Sequence, residues 1–117
     1  MDKKNPRKLC GQNIEINGGQ VLSQEHLQQL LRAFKEERGA MFDLIALGYF
    51  GSYARGEARP DSDVDIVFDT TRPNLWTTSI MKQDLEEWLK RPVDLIRLHK
   101  YLHQPFRSRL EREAIYV

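Results

Sequence analysis

The chain has 117 residues, which predicts one domain, residues 1–117, near the small end for a self-sufficient core. Its 40% hydrophobic and 30% charged residues are typical of a soluble globular protein, and the net charge of +1 argues against a broad electrostatic grip on nucleic acid. No apolar run approaches the roughly 20 residues of a membrane-spanning helix. The polar, lysine-bearing start of the chain lacks a signal peptide's apolar core, so we expect a cytoplasmic protein.

The first 19 residues differ in composition from the rest of the chain. They carry several lysines and the turn signal Asn-Gly-Gly at residues 17–19, so we predict a loosely ordered N-terminal extension over residues 1–19. Cys10 is the single cysteine, which excludes an internal disulfide and a paired-cysteine metal site. We assign no function to this extension.

Apolar periodicity predicts that helices and strands alternate along the rest of the chain. We predict helices over residues 24–38, 53–55, 75–90 and 104–117, and strands over residues 43–50, 63–68 and 92–98. The first helix has Ser23 as its predicted N-cap and Gly39 as its stop. The helix between the last two strands fits a right-handed crossover connection within one sheet.

Two predicted helices carry aromatic residues whose role is open from the sequence. The helix over residues 75–90 has a predicted buried stripe at Ile80, Leu85, Trp88 and Leu89. Trp76 and Trp88 can stack on an adenine base, although their helical spacing favours packing. In the final helix the residues predicted to be partly buried are Phe106, Leu110 and Ile115.

Paired carboxylates stand at the start of the strand over residues 63–68. Asp63 and Asp65 precede an apolar run, where aspartate is normally disfavoured. Side chains alternate along a strand, so both acids lie on one face, together with Val67. A divalent cation such as Mg²⁺ removes the repulsion between two like charges, because hard cations take carboxylate and phosphate oxygens as ligands. In the alternative interpretation, Asp63 belongs to a turn and Asp65 is exposed on a sheet edge.

Two neighbouring features favour the metal site. Gly51 and Ser52 follow the strand over residues 43–50, where free backbone N–H groups can hold phosphate oxygens and glycine permits close approach. Asp94 interrupts another short apolar run, and alternation places it on one face with Ile96. If the two acidic strands are neighbours, the three acids share one site.

These motifs resemble those of the minimal nucleotidyltransferases of the DNA polymerase beta superfamily. The resemblance covers residues 44–98 and rests on GSYARGEA at residues 51–58, SDVDI at residues 62–66 and VDL at residues 93–95. It implies an α/β (α+β) chain with the polymerase-beta-like nucleotidyltransferase fold, a small mixed sheet flanked by helices.

The resemblance also implies the roles of the motif residues. Asp63 and Asp65 correspond to the acids that hold two Mg²⁺ ions, and Asp94 to the acid that completes the metal site and helps to activate the nucleophile. Gly51 and Ser52 correspond to the pair that holds the nucleoside triphosphate. A further expected nucleotide contact is Arg55, although it can instead pair with a neighbouring acid.

The implied activity is Mg²⁺-dependent transfer of AMP from ATP to a hydroxyl acceptor. Only about 20 residues follow the third acid, so we expect the acceptor on another chain. The usual partner in the minimal family is a HEPN-domain toxin, whose tyrosine receives AMP, which makes the nucleotidyltransferase the antitoxin. Two alternatives stay open: a non-catalytic, nucleotide-binding antitoxin that neutralises its partner by binding, and a subunit of an aminoglycoside-type nucleotidyltransferase that acts on a small molecule.

Overall fold

The computed structural model describes residues 21–117, so the predicted extension over residues 1–19 and Cys10 lie outside the described residues. The helices are α1 Gln24–Arg38, α2 Gly51–Arg55, α3 Leu75–Leu89 and α4 Phe106–Glu113, and the strands are β1 Leu44–Phe50, β2 Val64–Thr70, β3 Val93–Arg97 and β4 Ile115–Tyr116. Each element predicted between residues 24 and 98 is present, with bounds that shift by two residues at most. Across the part of the chain that is described, no helix is both long enough and apolar enough to cross a membrane.

Helix α1 shows how local signals and packing combine. The Ser23 side chain accepts a hydrogen bond of 3.0 Å from the His26 N–H, which satisfies one of the free donors of the first turn. The apolar side chains of α1 recur at helical spacing and are fully buried, namely Leu27, Leu31 and Phe34. The predicted stop at Gly39 is confirmed, and its N–H closes the helix by donating to the Lys35 carbonyl.

The four strands form one mixed sheet in the order β3-β2-β1-β4. Strand β1 is antiparallel to both β2 and β4, whereas β2 and β3 are parallel. Helix α3 is the connection between the two parallel strands, which a parallel pair requires. The predicted small mixed sheet flanked by helices is therefore confirmed.

The predicted helix over residues 104–117 is present as α4, but its extension to the last residues of the chain is wrong. Helix α4 stops at Glu113, and Ile115 and Tyr116 pair with Tyr49 and Gly48 of β1. A Cβ at Gly48 would overlap the Ile115 carbonyl oxygen, so the glycine lets β4 approach. The open edge of β1 supplies hydrogen-bonding partners that the local sequence does not reveal.

The two faces of the sheet have different coverings. Helices α1 and α3 cover one face, where their apolar side chains pack on Val64, Ile66 and Phe68 in the larger core. Helix α4 lies against the other face, in a smaller cluster formed by Phe50, Val67 and Leu110. Because alternate residues of β2 enter different clusters, the predicted division of that strand is confirmed.

The prediction that Ile80 belongs to the buried stripe of α3 is wrong. Ile80 is 48% exposed, and the buried stripe consists of Met81, Leu85 and Leu89, spaced by four residues. Trp88 packs edge-on against Phe34 at 5.6 Å between ring centroids, as its predicted packing role requires. Trp76, by contrast, is 81% exposed, so packing is not its role.

Candidate active site

Two of the predicted acids lie side by side on neighbouring strands. Asp65 of β2 pairs in register with Asp94 of the parallel strand β3. Both alternate with Ile66 and Leu95, so they lie on the face that carries Val67, as predicted. The third acid, Asp63, is exposed immediately before β2 begins and two residues from Asp65. The crossover connection through α3 is therefore what brings together acids that are distant in sequence.

Asp65 is half-buried, whereas Asp63 and Asp94 are exposed. Burial raises the pKa of the Asp65 carboxyl, and the charges of Asp94 and Asp63 raise this pKa further. The guanidinium groups of Arg55 and Arg109 act in the opposite direction and lower it. Asp65 thus lies close enough to Asp94 and Asp63 to be repelled by their charges, and a cation beside it would relieve that repulsion.

The acids supply a donor set suited to Mg²⁺, because carboxylate oxygens are ligands that hard cations accept. Within residues 21–117, however, no group of three or more His, Cys, Asp or Glu side chains is arranged so that it could hold a metal ion. The strand positions of Asp65 and Asp94 suit a shared ion, but the side chains of the three acids are not gathered around one point. Their assignment as metal ligands remains a prediction.

The Gly51-Ser52 turn adjoins the acids directly. Strand β1 leads into α2 at Gly51, whose φ of 70° lies in the region that favours glycine. Phe50, the preceding residue, pairs with Asp65, and a Cβ at position 51 would overlap the Oδ2 atom of that acid. Only glycine lets the turn lie this close to the carboxylate. Ser52 is half-buried in the same turn.

The structure adds two residues that the sequence did not point to, Glu113 and Arg109 of α4. The Glu113 Oε1 atom accepts a 3.3 Å hydrogen bond from the Gly51 N–H and another of 3.3 Å from Arg55 Nη1. The Arg109 Nε atom lies 3.8 Å from the Glu113 Oε2 atom. Arg55 also donates to Glu57 over 3.0 Å, the pairing with a neighbouring acid that its position suggested. The four-residue spacing of Arg109 and Glu113 was visible in the sequence, but their contact with the glycine turn was not.

The protein-family profile described as a nucleotidyltransferase domain matches residues 27–117, which include the glycine turn and all three acids. This chain belongs to the nucleotidyltransferase domain family. A curated relative, the protein adenylyltransferase MntA of Thermococcus cleftensis, is 37% identical over 98 residues, which cover 83% of this chain and 98% of the relative. The predicted family and the enzyme class of nucleotidyltransferase are thereby confirmed.

Solved structures support the same fold. A candidate minimal nucleotidyltransferase superposes with a TM-score of 0.69 at 32% identity and covers 83% of this chain and 98% of its own. A more distant structure, a tri-AMPylated Shewanella oneidensis HEPN toxin in complex with an MNT antitoxin, superposes with a TM-score of 0.52 at 19% identity. It covers 80% of this chain and 67% of the other, and at that identity it shows the fold alone.

Proposed function

We propose that this nucleotidyltransferase transfers AMP from ATP to a tyrosine hydroxyl of a HEPN-domain toxin in the cytoplasm, and so acts as an antitoxin. The observation that carries the proposal is the pairing of Asp65 with Asp94 directly beside the Gly51 turn. Carboxylates thus adjoin a glycine turn of the kind that can bind phosphate, and transfer of a nucleotidyl group needs both. The relative that covers most of the chain is itself named a protein adenylyltransferase.

The reaction has one bond made and one broken. The phenolic oxygen of the acceptor attacks the α-phosphorus of ATP, the bond to the β-phosphate oxygen breaks, and pyrophosphate leaves. Gly51 and Ser52, assisted by Arg55, bind the β- and γ-phosphates and hold the leaving group in place. Asp94, on the strand next to Asp65, is positioned to help take up the proton of the attacking hydroxyl.

Asp63, Asp65 and Asp94 would hold two Mg²⁺ ions in this site. When bound, the ions supply positive charge that stabilises the attacking and the leaving oxygens. The protein's own contribution is to hold Asp65 beside Asp94, although burial of Asp65 and the charges of Asp94 and Asp63 oppose its ionisation. Nucleotide and metal are therefore expected to bind together, since each offsets the charge of the other.

The proposal is tested by incubating the purified chain with Mg²⁺, labelled ATP and a HEPN-domain partner, followed by intact mass measurement of both proteins. We expect the partner to gain the mass of AMP, and we expect Asp63→Asn to lose this transfer while keeping its fold. Asp61→Asn is the matched control, because Asp61 is an exposed acid of the turn that precedes the site. This variant should transfer AMP normally.

Two results would contradict the proposal. Full transfer by the Asp63→Asn variant would remove that acid from the catalytic site. A stable complex of the two proteins with no gain in mass would instead identify an antitoxin that acts by binding alone.

A further inference from the structure

The carboxylate of Glu113 lies where three donors of the candidate site meet. It accepts from the Gly51 N–H and from Arg55, and the Arg109 guanidinium lies within 3.8 Å. The Glu113 side chain is only 19% exposed, whereas those of Arg55 and Arg109 are 41% and 55% exposed. One enclosed anion is thus bound by two accessible cations and one backbone N–H.

The same set of donors suits a phosphate group. Guanidinium groups bind carboxylates and phosphates through the same planar arrangement of N–H groups, so one anion can replace the other. Both arginines reach the same Glu113 carboxylate, which accepts from the Gly51 N–H beside Asp65. Arg109 therefore occupies a position comparable to that of Arg55, although it lies on α4, 54 residues later in the chain.

Glu113 is not needed to hold α4 on the sheet. Leu110 is 1% exposed in the smaller core, and Phe106 packs edge-on against Phe50 with 6.0 Å between ring centroids. These apolar contacts anchor the helix, whereas ion pairs with exposed arginines add little to stability. The contact between Glu113 and the glycine turn thus invites an explanation other than packing.

We propose that Arg109 is a further phosphate-binding residue and that Glu113 takes the place of a phosphate until nucleotide displaces it. The inference rests on the proposed function, since it assigns the triphosphate to the Gly51 turn. A triphosphate carries more negative charge than one carboxylate, so it competes successfully for Arg55 and Arg109. Glu113 then leaves its partners, and its own negative charge weakens nucleotide binding by opposing the phosphates.

The test is calorimetric titration of the full chain with a non-hydrolysable ATP analogue in Mg²⁺. We expect Glu113→Gln to bind the analogue roughly three- to tenfold more tightly, because the competing charge is gone. Glu111→Gln is the matched control: it removes the same charge from α4, but Glu111 pairs with Arg107 rather than with the glycine turn. We expect its affinity to equal that of the native chain.

Arg109→Gln tests the second half of the proposal. We expect this variant to bind the analogue about tenfold more weakly, and the loss should persist when Glu113→Gln is combined with it. A purely structural role for Arg109, through its pairing with Glu113, would make the loss vanish in the combined variant. That result would overturn its assignment as a phosphate-binding residue.

If Glu113→Gln binds the ATP analogue as tightly as the native chain or more weakly, the proposal that nucleotide displaces Glu113 is overturned. If circular dichroism shows that Glu113→Gln is poorly folded, Glu113→Asp provides the same test. The shorter aspartate side chain reaches the turn less well, so this variant should also bind the ATP analogue more tightly than the native chain. Normal transfer of AMP with equal affinities would refute this inference alone. Tighter binding by Glu113→Gln without any transfer to the partner would refute the proposed function and leave the inference standing.

Discussion

The two faces of the sheet differ in what covers them and in what they do. The face under α1 and α3 is lined by fully buried apolar residues, and its helices supply a continuous core. The opposite face carries Asp65 and Asp94, with a smaller apolar cluster beside α4. The first face therefore provides most of the apolar burial that stabilises the fold, and the other accepts like charges in contact with a glycine turn. Strand β2 serves both faces, because its side chains alternate between them.

The difference between the faces shows that a chain of this size can hold neighbouring carboxylates, which destabilise the fold, on one face of a sheet if its other face is well packed. Burial of the Asp65 carboxylate and the negative charges of Asp94 and Asp63 beside it both oppose folding. Burial of apolar area under α1 and α3 offsets them. Substitutions in the packed layer should therefore cost more stability than one at the contact between turn and acid, and one at the acid itself should change stability least.

The largest effect on stability is expected in the packed layer, at Trp88. Its indole ring contacts Phe34, and its Nε1 atom donates a 2.9 Å hydrogen bond to the Leu30 carbonyl. We expect Trp88→Ala to lower the free energy of unfolding by about 2–4 kcal/mol, because it removes both packing and a hydrogen bond. Urea denaturation followed by circular dichroism measures the change.

Trp76→Ala is the matched control, because it removes the same side chain from the same helix at a position that is 81% exposed. It should change the free energy of unfolding by about 0.5 kcal/mol or less. Equal losses in the two variants would show that α3 is not packed as described.

An intermediate effect is expected at Gly51, where the turn meets the acid. Gly51→Ala should lower the free energy of unfolding by about 1–3 kcal/mol, because it combines a positive φ with overlap of the new Cβ and Asp65. It should also abolish transfer of AMP, since the acid is pushed out of position. Urea denaturation and the mass assay measure the two effects.

Gly56→Ala separates the two causes. Gly56 has a similar φ of 73°, but a Cβ there would meet nothing closer than the Gln24 Nε2 atom at 4.0 Å. This variant should lose about 1 kcal/mol from backbone strain and keep its transfer activity. Transfer by Gly51→Ala at the level of Gly56→Ala would contradict the contact between the turn and Asp65.

The smallest effect on stability is expected at Asp65, where the substitution should stabilise the fold rather than destabilise it. Asp65→Asn should raise the free energy of unfolding by about 0.5 kcal/mol or less near pH 7, since it removes a charge next to two others and solvent screens that charge where the side chain is only half-buried. The folded state raises the pKa of Asp65 above its ordinary value of 3.8. The native chain therefore loses stability as the pH rises from this ordinary pKa to the raised pKa of the folded state. The gain should therefore be largest near neutral pH and disappear below the ordinary pKa.

Thermal unfolding of both chains from pH 3 to pH 8 measures this dependence. Asp61→Asn, in the exposed turn, is the control and should leave stability nearly unchanged at every pH. A gain that persisted at the acidic end would mean that the effect of Asp65→Asn does not come from charge.

The elements between residues 24 and 98 and the face of the acids were predictable because they depend on short-range order. Helix caps such as Ser23 and alternation along β2 are properties of a few consecutive residues. The crossover between parallel strands then limits how Asp94 can be placed relative to Asp65. The resemblance was specific because the glycine turn, the first two acids and the VDL motif with Asp94 occur together with the right spacing.

What the sequence determined by itself is the set of elements between residues 24 and 98, the alternation of β2 and the family that its motifs identify. The choice between Ile80 and Met81 on α3 required the sheet, because both are apolar and only packing selects one. Strand β4 required the open edge of β1, since two residues carry too little local signal. The contact of Glu113 with Gly51 joins residues 62 positions apart. Only tertiary structure decides contacts between residues so distant, because no local periodicity relates them.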